Sequence, residues 1–335
     1  MMIDVFCHIL TPNFLKERDK RALGRFKSLR SSLYSGAIPT LSNLDVRFKI
    51  MDKHPGYVQI LTAAAPAVET ICTPKDATEL ARIANDELAE MVLRYPDRFV
   101  AGIASVAMNN IDATLDEIDR AINDLRLRGI QVYSDVAGKP LDSSEFMPIY
   151  EKMAAYDLPI FIHPVKEELI PDYPGEESSK YLIWTRLSWP HQTSVAMMRI
   201  SCSGILEKFP NLKFVTHHAG GTVPYLWTRI RLLDDFNEMH LGFRYEAPLT
   251  KKVDDYLRMF YNDTAVYGNA PTLMCARAFF GAEHLLFATD MPFGSQHGER
   301  LVRETIRSVH EMDISDAERK MIFEENARKL MRLPI

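Results

Sequence analysis

Cysteine is scarce in this chain: Cys7, Cys72, Cys202 and Cys275 are the only four in 335 residues, and no two form a CxxC pair. Such scattered thiols argue against a disulfide framework and against a structural zinc knuckle. A charge excess of one sign is missing too. The 40 Lys and Arg face 45 Asp and Glu, which leaves a net charge of -5. A broad nucleic-acid footprint needs a basic excess or stripe, so no nucleic-acid partner is expected. No apolar run approaches the ~18 residues a membrane-spanning helix requires. The opening MMIDVFCHILTP has no basic segment before an apolar run, and Lys16, Arg18 and Lys20 soon follow, so it does not read as a secretory signal. The expectation is a soluble, cytoplasmic protein without a membrane partner.

What is present is an ordinary globular composition, 47% hydrophobic and 25% charged. The length allows one large domain or two of common size. Short apolar runs rich in strand-forming residues alternate with longer amphipathic ones. Residues 57–64 (YVQILTAA) read as a strand, and Leu80, Ile83, Ala84, Leu88 and Met91 then recur at helical spacing. The same rhythm places eight strands near residues 4, 59, 102, 131, 161, 214, 260 and 287, the seventh over 256–261. Residues 166–190 read as a long proline-bounded loop, and 194–209 as a helix. No Gly/Ser linker, composition shift or G-x-G-x-x-G turn interrupts the series. Eight alternating units predict an α/β fold, a single (β/α)8 TIM barrel over residues 1–335, with a doubly wound open sheet as the competing architecture. An insertion at 11–45 follows strand 1, and extra helices close the chain.

In such a barrel chemistry sits at the C-terminal ends of the strands. His8 ends the first strand, His163 the fifth, His217 and His218 follow the sixth, and Asp290 caps the eighth. Any one histidine there is weak evidence; the barrel matters because it gathers them. Imidazole and carboxylate together suit zinc or another borderline divalent ion. Strand side chains alternate, so residues 6 and 8 share a face and Cys7 points away. By the same rule only one of His217 and His218 is expected in the cup, and His218 is favoured. Asp263 is read as a substrate contact or a turn residue. Trp184, Trp189 and His191 are read as aromatic stacking groups or local packing, and the basic stretch from Lys16 to Arg30 as a solvated face.

Four segments, IDVFCHILTP, LPIFIHP, HHAGGTVPYLWTRI and LLFATDMPFG, resemble the strand-end motifs of the amidohydrolase superfamily. The resemblance is to the branch of aminocarboxymuconate-semialdehyde decarboxylase and the aromatic decarboxylases, and it runs from residue 3 to about residue 330. It implies that His8, His163 and Asp290 bind a divalent metal, most often zinc. It also implies that His218 and Asp290 handle protons, and that Arg47 grips a substrate carboxylate, although Arg47 also reads as a surface helix residue. Members of the branch usually open with D-x-H-x-H; here the run is Asp4-Val5-Phe6-Cys7-His8, so Phe6 replaces the first histidine. Three protein ligands remain, with His217 or His218 able to swing in.

The function implied is decarboxylation of a small anionic aromatic or unsaturated acid by a homodimer. A metal-dependent hydrolase of an ester, lactone or carbon–carbon bond, a hydratase, and a metal-free binding protein stay open as alternatives, since one scaffold serves many chemistries.

Overall fold

Eight parallel strands surround one interior in the computed structural model, which describes residues 1–23 and 37–335. They are β1 (Met2–Ile9), β2 (Tyr57–Ala63), β3 (Phe99–Gly102, continued by Ala104–Ser105), β4 (Ile130–Tyr133), β5 (Ile160–His163), β6 (Phe214–Thr216), β7 (Tyr261–Asp263) and β8 (Leu285–Leu286). β1, β2 and the first part of β3 pair in order, as do the second part of β3 and β4 through β8. Ile103 joins the two parts of β3, its N–H donating to Leu61 O at 2.9 Å. The circuit returns to β1 where Val5 N–H donates to Phe287 O at 3.0 Å and His8 N–H to Met291 O at 2.7 Å. This is the expected barrel, with helices between successive strands and further helices after β8.

Alternation builds its two layers. On β5, Ile160 and Ile162 pack outward against the helices while Phe161 joins Val5, Phe6, Val215 and Leu286 inside. β1 departs from strict alternation, because its register against β2 slips between Asp4 and Cys7 and puts both Val5 and Phe6 in the interior. Asp4 holds that bulge: its Oδ1 accepts Phe6 N–H at 3.2 Å and its Oδ2 accepts Tyr57 O–H at 2.6 Å. Thr289 also donates to Asp4, so one buried carboxylate ties β1, β2 and β8 together.

Four segments differ from the sequence reading. Residues expected to begin strand 7 form the helix Val253–Leu257, because Val253, Tyr256 and Leu257 bury together at helical spacing. The loop over 166–190 ends early. A wide helical turn, Trp184–Ser188, leads into the helix Trp189–Cys202, which holds Pro190 in its first turn, where no N–H is needed. That helix stops at Cys202, and Gly204 at φ 81° starts the separate helix Ile205–Lys208. The basic stretch is only partly a solvated face: Arg18 is buried, whereas Arg25, Lys27 and Arg30 lie outside the described residues. No helix among the described residues is long and apolar enough to cross a membrane.

Candidate metal and catalytic centre

Three histidines from three strand ends meet inside the barrel mouth. One ligand nitrogen from each of His8, His163 and His217 lies within 4.8 Å of the other two, and all three side chains are buried. Their ring centroids are 4.9 Å apart for His163 and His217, 5.2 Å for His8 and His163, and 5.8 Å for His8 and His217. Asp290 joins from beyond β8, its Oδ1 3.2 Å from His8 Nε2. His8, His163 and Asp290 therefore come together as expected.

His217 corrects the sequence reading, which turned it away from the cup in favour of His218. Val215 is inside, Thr216 is outside on Asn262, and His217, still extended at φ -78° and ψ 158°, is inside again. The chain then turns at His218 (φ 59°) and Ala219 (φ 54°), so alternation ends there. The turn brings the half-buried His218 to the rim beside His217, ring centroids 5.2 Å apart. Gly221, at φ 62°, lets this turn lie against the next segment; a Cβ there would sit 2.2 Å from Pro190 O.

Hydrogen bonds assign the protons on these rings. A carbonyl oxygen can only accept, so His163 Nδ1 donates to Pro164 O at 2.7 Å and His218 Nδ1 donates to Ala265 O at 2.9 Å. His217 Nδ1 meets Asp263 Oδ2 at 2.6 Å, and Asp263 Oδ1 accepts the N–H groups of Ala265 and Ala219. Asp263 is thus neither a bare turn residue nor a group facing substrate; it orients His217. Burial pushes the His163 imidazole down to about 3 and His217 well below its usual value, so both are neutral near pH 7. Burial likewise lifts Asp263 to about 7. For Asp290 burial pulls upward, but His8, the charge of His218 and the Tyr267 hydroxyl together leave its carboxyl below the usual range.

His217 Nε2 is buried with no hydrogen-bond partner, and buried His8 Nε2 faces only the Asp290 carboxylate. Imidazoles whose far nitrogens are tied to oxygen partners, next to a carboxylate, form a donor set suited to a divalent cation. Phe6 occupies the place of the absent histidine. Its fully buried ring packs against His217 (centroids 3.2 Å apart) and Phe161 (5.3 Å), and burial of such a side chain stabilises a fold by about 1.5–3 kcal/mol.

Arg47 is placed elsewhere. It is fully buried on the helix Leu44–Met51, outside the barrel wall, with Nε on Gln59 Oε1 and Nη1 on the carbonyl oxygens of His8 and Thr40. It braces the end of β1 and is neither a carboxylate clamp in the cup nor a surface residue. Trp189 does reach the site, 5.4 Å from the His163 ring, with Trp184 packed edge-on behind it; His191 is exposed. Tyr267, missed in the sequence, donates to Asp290 Oδ2 at 2.7 Å and lies beside His218.

A family model described as "Amidohydrolase" matches residues 41–333. Gamma-resorcylate decarboxylase of Rhizobium radiobacter is 33% identical over 297 residues, 86% of this chain and 87% of that protein. The 2-amino-3-carboxymuconate-6-semialdehyde decarboxylase of Dictyostelium discoideum is 27% identical, over 99% of this chain and 92% of that one. A solved dihydroxybenzoic acid decarboxylase from Polaromonas sp. JS666, with bound manganese and the inhibitor 2-nitroresorcinol, matches with a TM-score of 0.80 at 26% identity, covering 99% and 96% of the two chains.

Proposed function

The chain belongs to the amidohydrolase family, and we propose that it is a carboxy-lyase, removing carbon dioxide from a small aromatic or unsaturated carboxylic acid. The observation that carries this reading is the convergence of His8, His163, His217 and Asp290 beneath a half-buried His218. The similarity to decarboxylases along most of the chain supports it. His8, His163, His217 and Asp290 would hold a divalent ion, which when bound acts as a Lewis acid toward an oxygen of the substrate. Three nitrogen donors favour zinc over the manganese of the relative.

The proton is the chain's own contribution. Loss of carbon dioxide leaves an electron pair on the carbon that carried the carboxylate, and one proton must add there in place of the lost group. His218 holds its Nδ1 proton on Ala265 O, which leaves Nε2 to carry the exchangeable proton. Asp290 is engaged on both oxygens, by His8 and by Tyr267, and keeps the acid side of the cup ordered. Trp189 offers an aromatic wall beside His163. The unit is read as one barrel over residues 1–335. Its four free cysteines fit a reducing cytoplasm. The helix Val223–Leu241 leaves Tyr225, Leu232, Phe236 and Met239 exposed, which supports a homodimer.

The test is carbon dioxide release from a panel of hydroxybenzoic and muconic acids, with metal content measured on the same samples. His218→Ala is expected to keep its metal and fold and to lose about 10²–10⁴-fold in rate, and Asp290→Ala to lose turnover. Full activity in either variant overturns the assignment.

A further inference from the structure

Across the barrel mouth from the histidines, a second polar group is buried without a partner. Glu69 sits on the short helix Val68–Ile71 that follows β2, and it is 6% exposed. Neither of its carboxyl oxygens has a hydrogen-bond partner. Glu69 lines a narrow cleft with room of about 10 Å³, enough for one group the size of a water, walled by Phe14, Pro66 and Val106 and carrying Ser105, Gln131 and Tyr133. Gln131 donates its Nε2 to Ala63 O at 3.1 Å, and its Oε1 is a third buried acceptor without a donor. Tyr133 joins the cleft to the reaction centre, its ring 5.3 Å from that of His163.

Buried polar atoms are seldom left unpaired, and each one costs free energy until a donor arrives. Here three acceptor oxygens share one cleft, so the complementary ligand group is a hydrogen-bond donor. A ring carboxylate or an ether oxygen does not fit them. Burial also lifts the Glu69 carboxyl to about 7, so a donor that favours its ionised form is rewarded near neutral pH.

We propose that Glu69, assisted by Gln131 and Tyr133, recognises a hydrogen-bond-donating substituent, a phenolic hydroxyl or an aromatic amine, carried in addition to any hydroxyl ortho to the carboxylate, on the acid bound at the histidine cluster. This rests on the reading of that cluster as the site of an aromatic acid. The cleft then sets which substituted acid is accepted, while the histidines and Asp290 act on the carboxylate end.

The test reads binding, separately from turnover. Calorimetry on the metal-loaded protein compares 2-hydroxybenzoate with its ring-dihydroxy and amino-hydroxy derivatives and with the methyl ethers of the added group. The expected result is that at least one donor-bearing acid binds about tenfold or more tightly than both 2-hydroxybenzoate and the matching ether. Glu69→Leu should erase that preference and leave 2-hydroxybenzoate affinity and metal content unchanged. If Glu69→Leu does not fold, the near-isosteric Glu69→Gln decides, with a several-fold smaller preference expected. A preference untouched by these variants, or no preference in the parent protein, overturns the proposal. The hydroxy and amino arms identify which donor is used. Carbon dioxide release, measured in parallel, separates failure of this cleft from failure of the decarboxylase reading.

Discussion

Replacing Asp263 by asparagine changes one atom and should disable a metal ligand. Asp263 Oδ1 accepts two backbone N–H groups, from Ala265 at 2.9 Å and Ala219 at 3.3 Å, while Oδ2 accepts from His217 Nδ1. In the variant the amide oxygen must stay where those two donors point, which turns the amide NH2 toward Nδ1. Two N–H groups cannot face each other, so the imidazole moves its proton to Nε2. That is the atom aimed into the cup without a partner, and a protonated nitrogen cannot bind a metal. Loss of an ordinary outer-shell partner costs about 10–100-fold in metal affinity, or about 1.4–2.7 kcal/mol. Because the tautomer itself reverses here, the effect should lie at the upper end and match His217→Ala. Competition against a fluorescent chelator measures it, and nitrogen NMR of the histidine ring reports the tautomer without any substrate. His218→Ala serves as the control and should bind metal as the parent does. Parent-like affinity in both Asp263→Asn and His217→Ala would show that His217 is not a ligand.

Much of this was legible in the sequence, for identifiable reasons. Strand positions could be read because apolar runs such as IFIH and FVT lie between helical segments, and His8, His163 and Asp290 because they stand at strand ends. Residues 256 and 257 were misread as strand because Tyr256 and Leu257 end a five-residue helix and lead directly into the apolar run before β7. His217 was misplaced because the turn begins at His218 and Ala219, residues that rarely adopt positive φ, rather than at the glycines that follow. The role of Arg47 depends on backbone carbonyls of Thr40 and His8, which carry no residue signature. Nothing in the sequence marks Glu69; only the fold sets it against Gln131 and Tyr133.

Three further outcomes follow from the same geometry. Glu69 ionises near its ordinary 4.5 in the unfolded chain but at about 7 in the fold, so between these values the unfolded state binds fewer protons and stability falls as pH rises. The loss is ~3 kcal/mol at most, and urea titrations at pH 5 and pH 8 should show a larger fall in the parent than in Glu69→Gln, because Asp263, also lifted to about 7, contributes equally to both; equal falls refute it. His163 acts oppositely, costing stability as pH falls from 6.5 toward about 3, but it is common to both proteins and cancels. Leu232→Asp with Phe236→Asp on the exposed helix face should shift light-scattering mass from dimer to monomer; an unchanged mass removes that face from the interface. Phe6→His puts an imidazole where the ring now packs on His217 and Phe161. It should lower apo stability by about 1–3 kcal/mol yet tighten metal binding about tenfold or more. If His217 substitutes for the ligand absent at position 6, the two sites must couple: His217→Ala should be severe with Phe6 in place and mild in the Phe6→His background. Additive effects in that double-mutant cycle would mean that His217 and position 6 serve the metal independently, and that the sixth-strand histidine is no replacement for the one lost from the first.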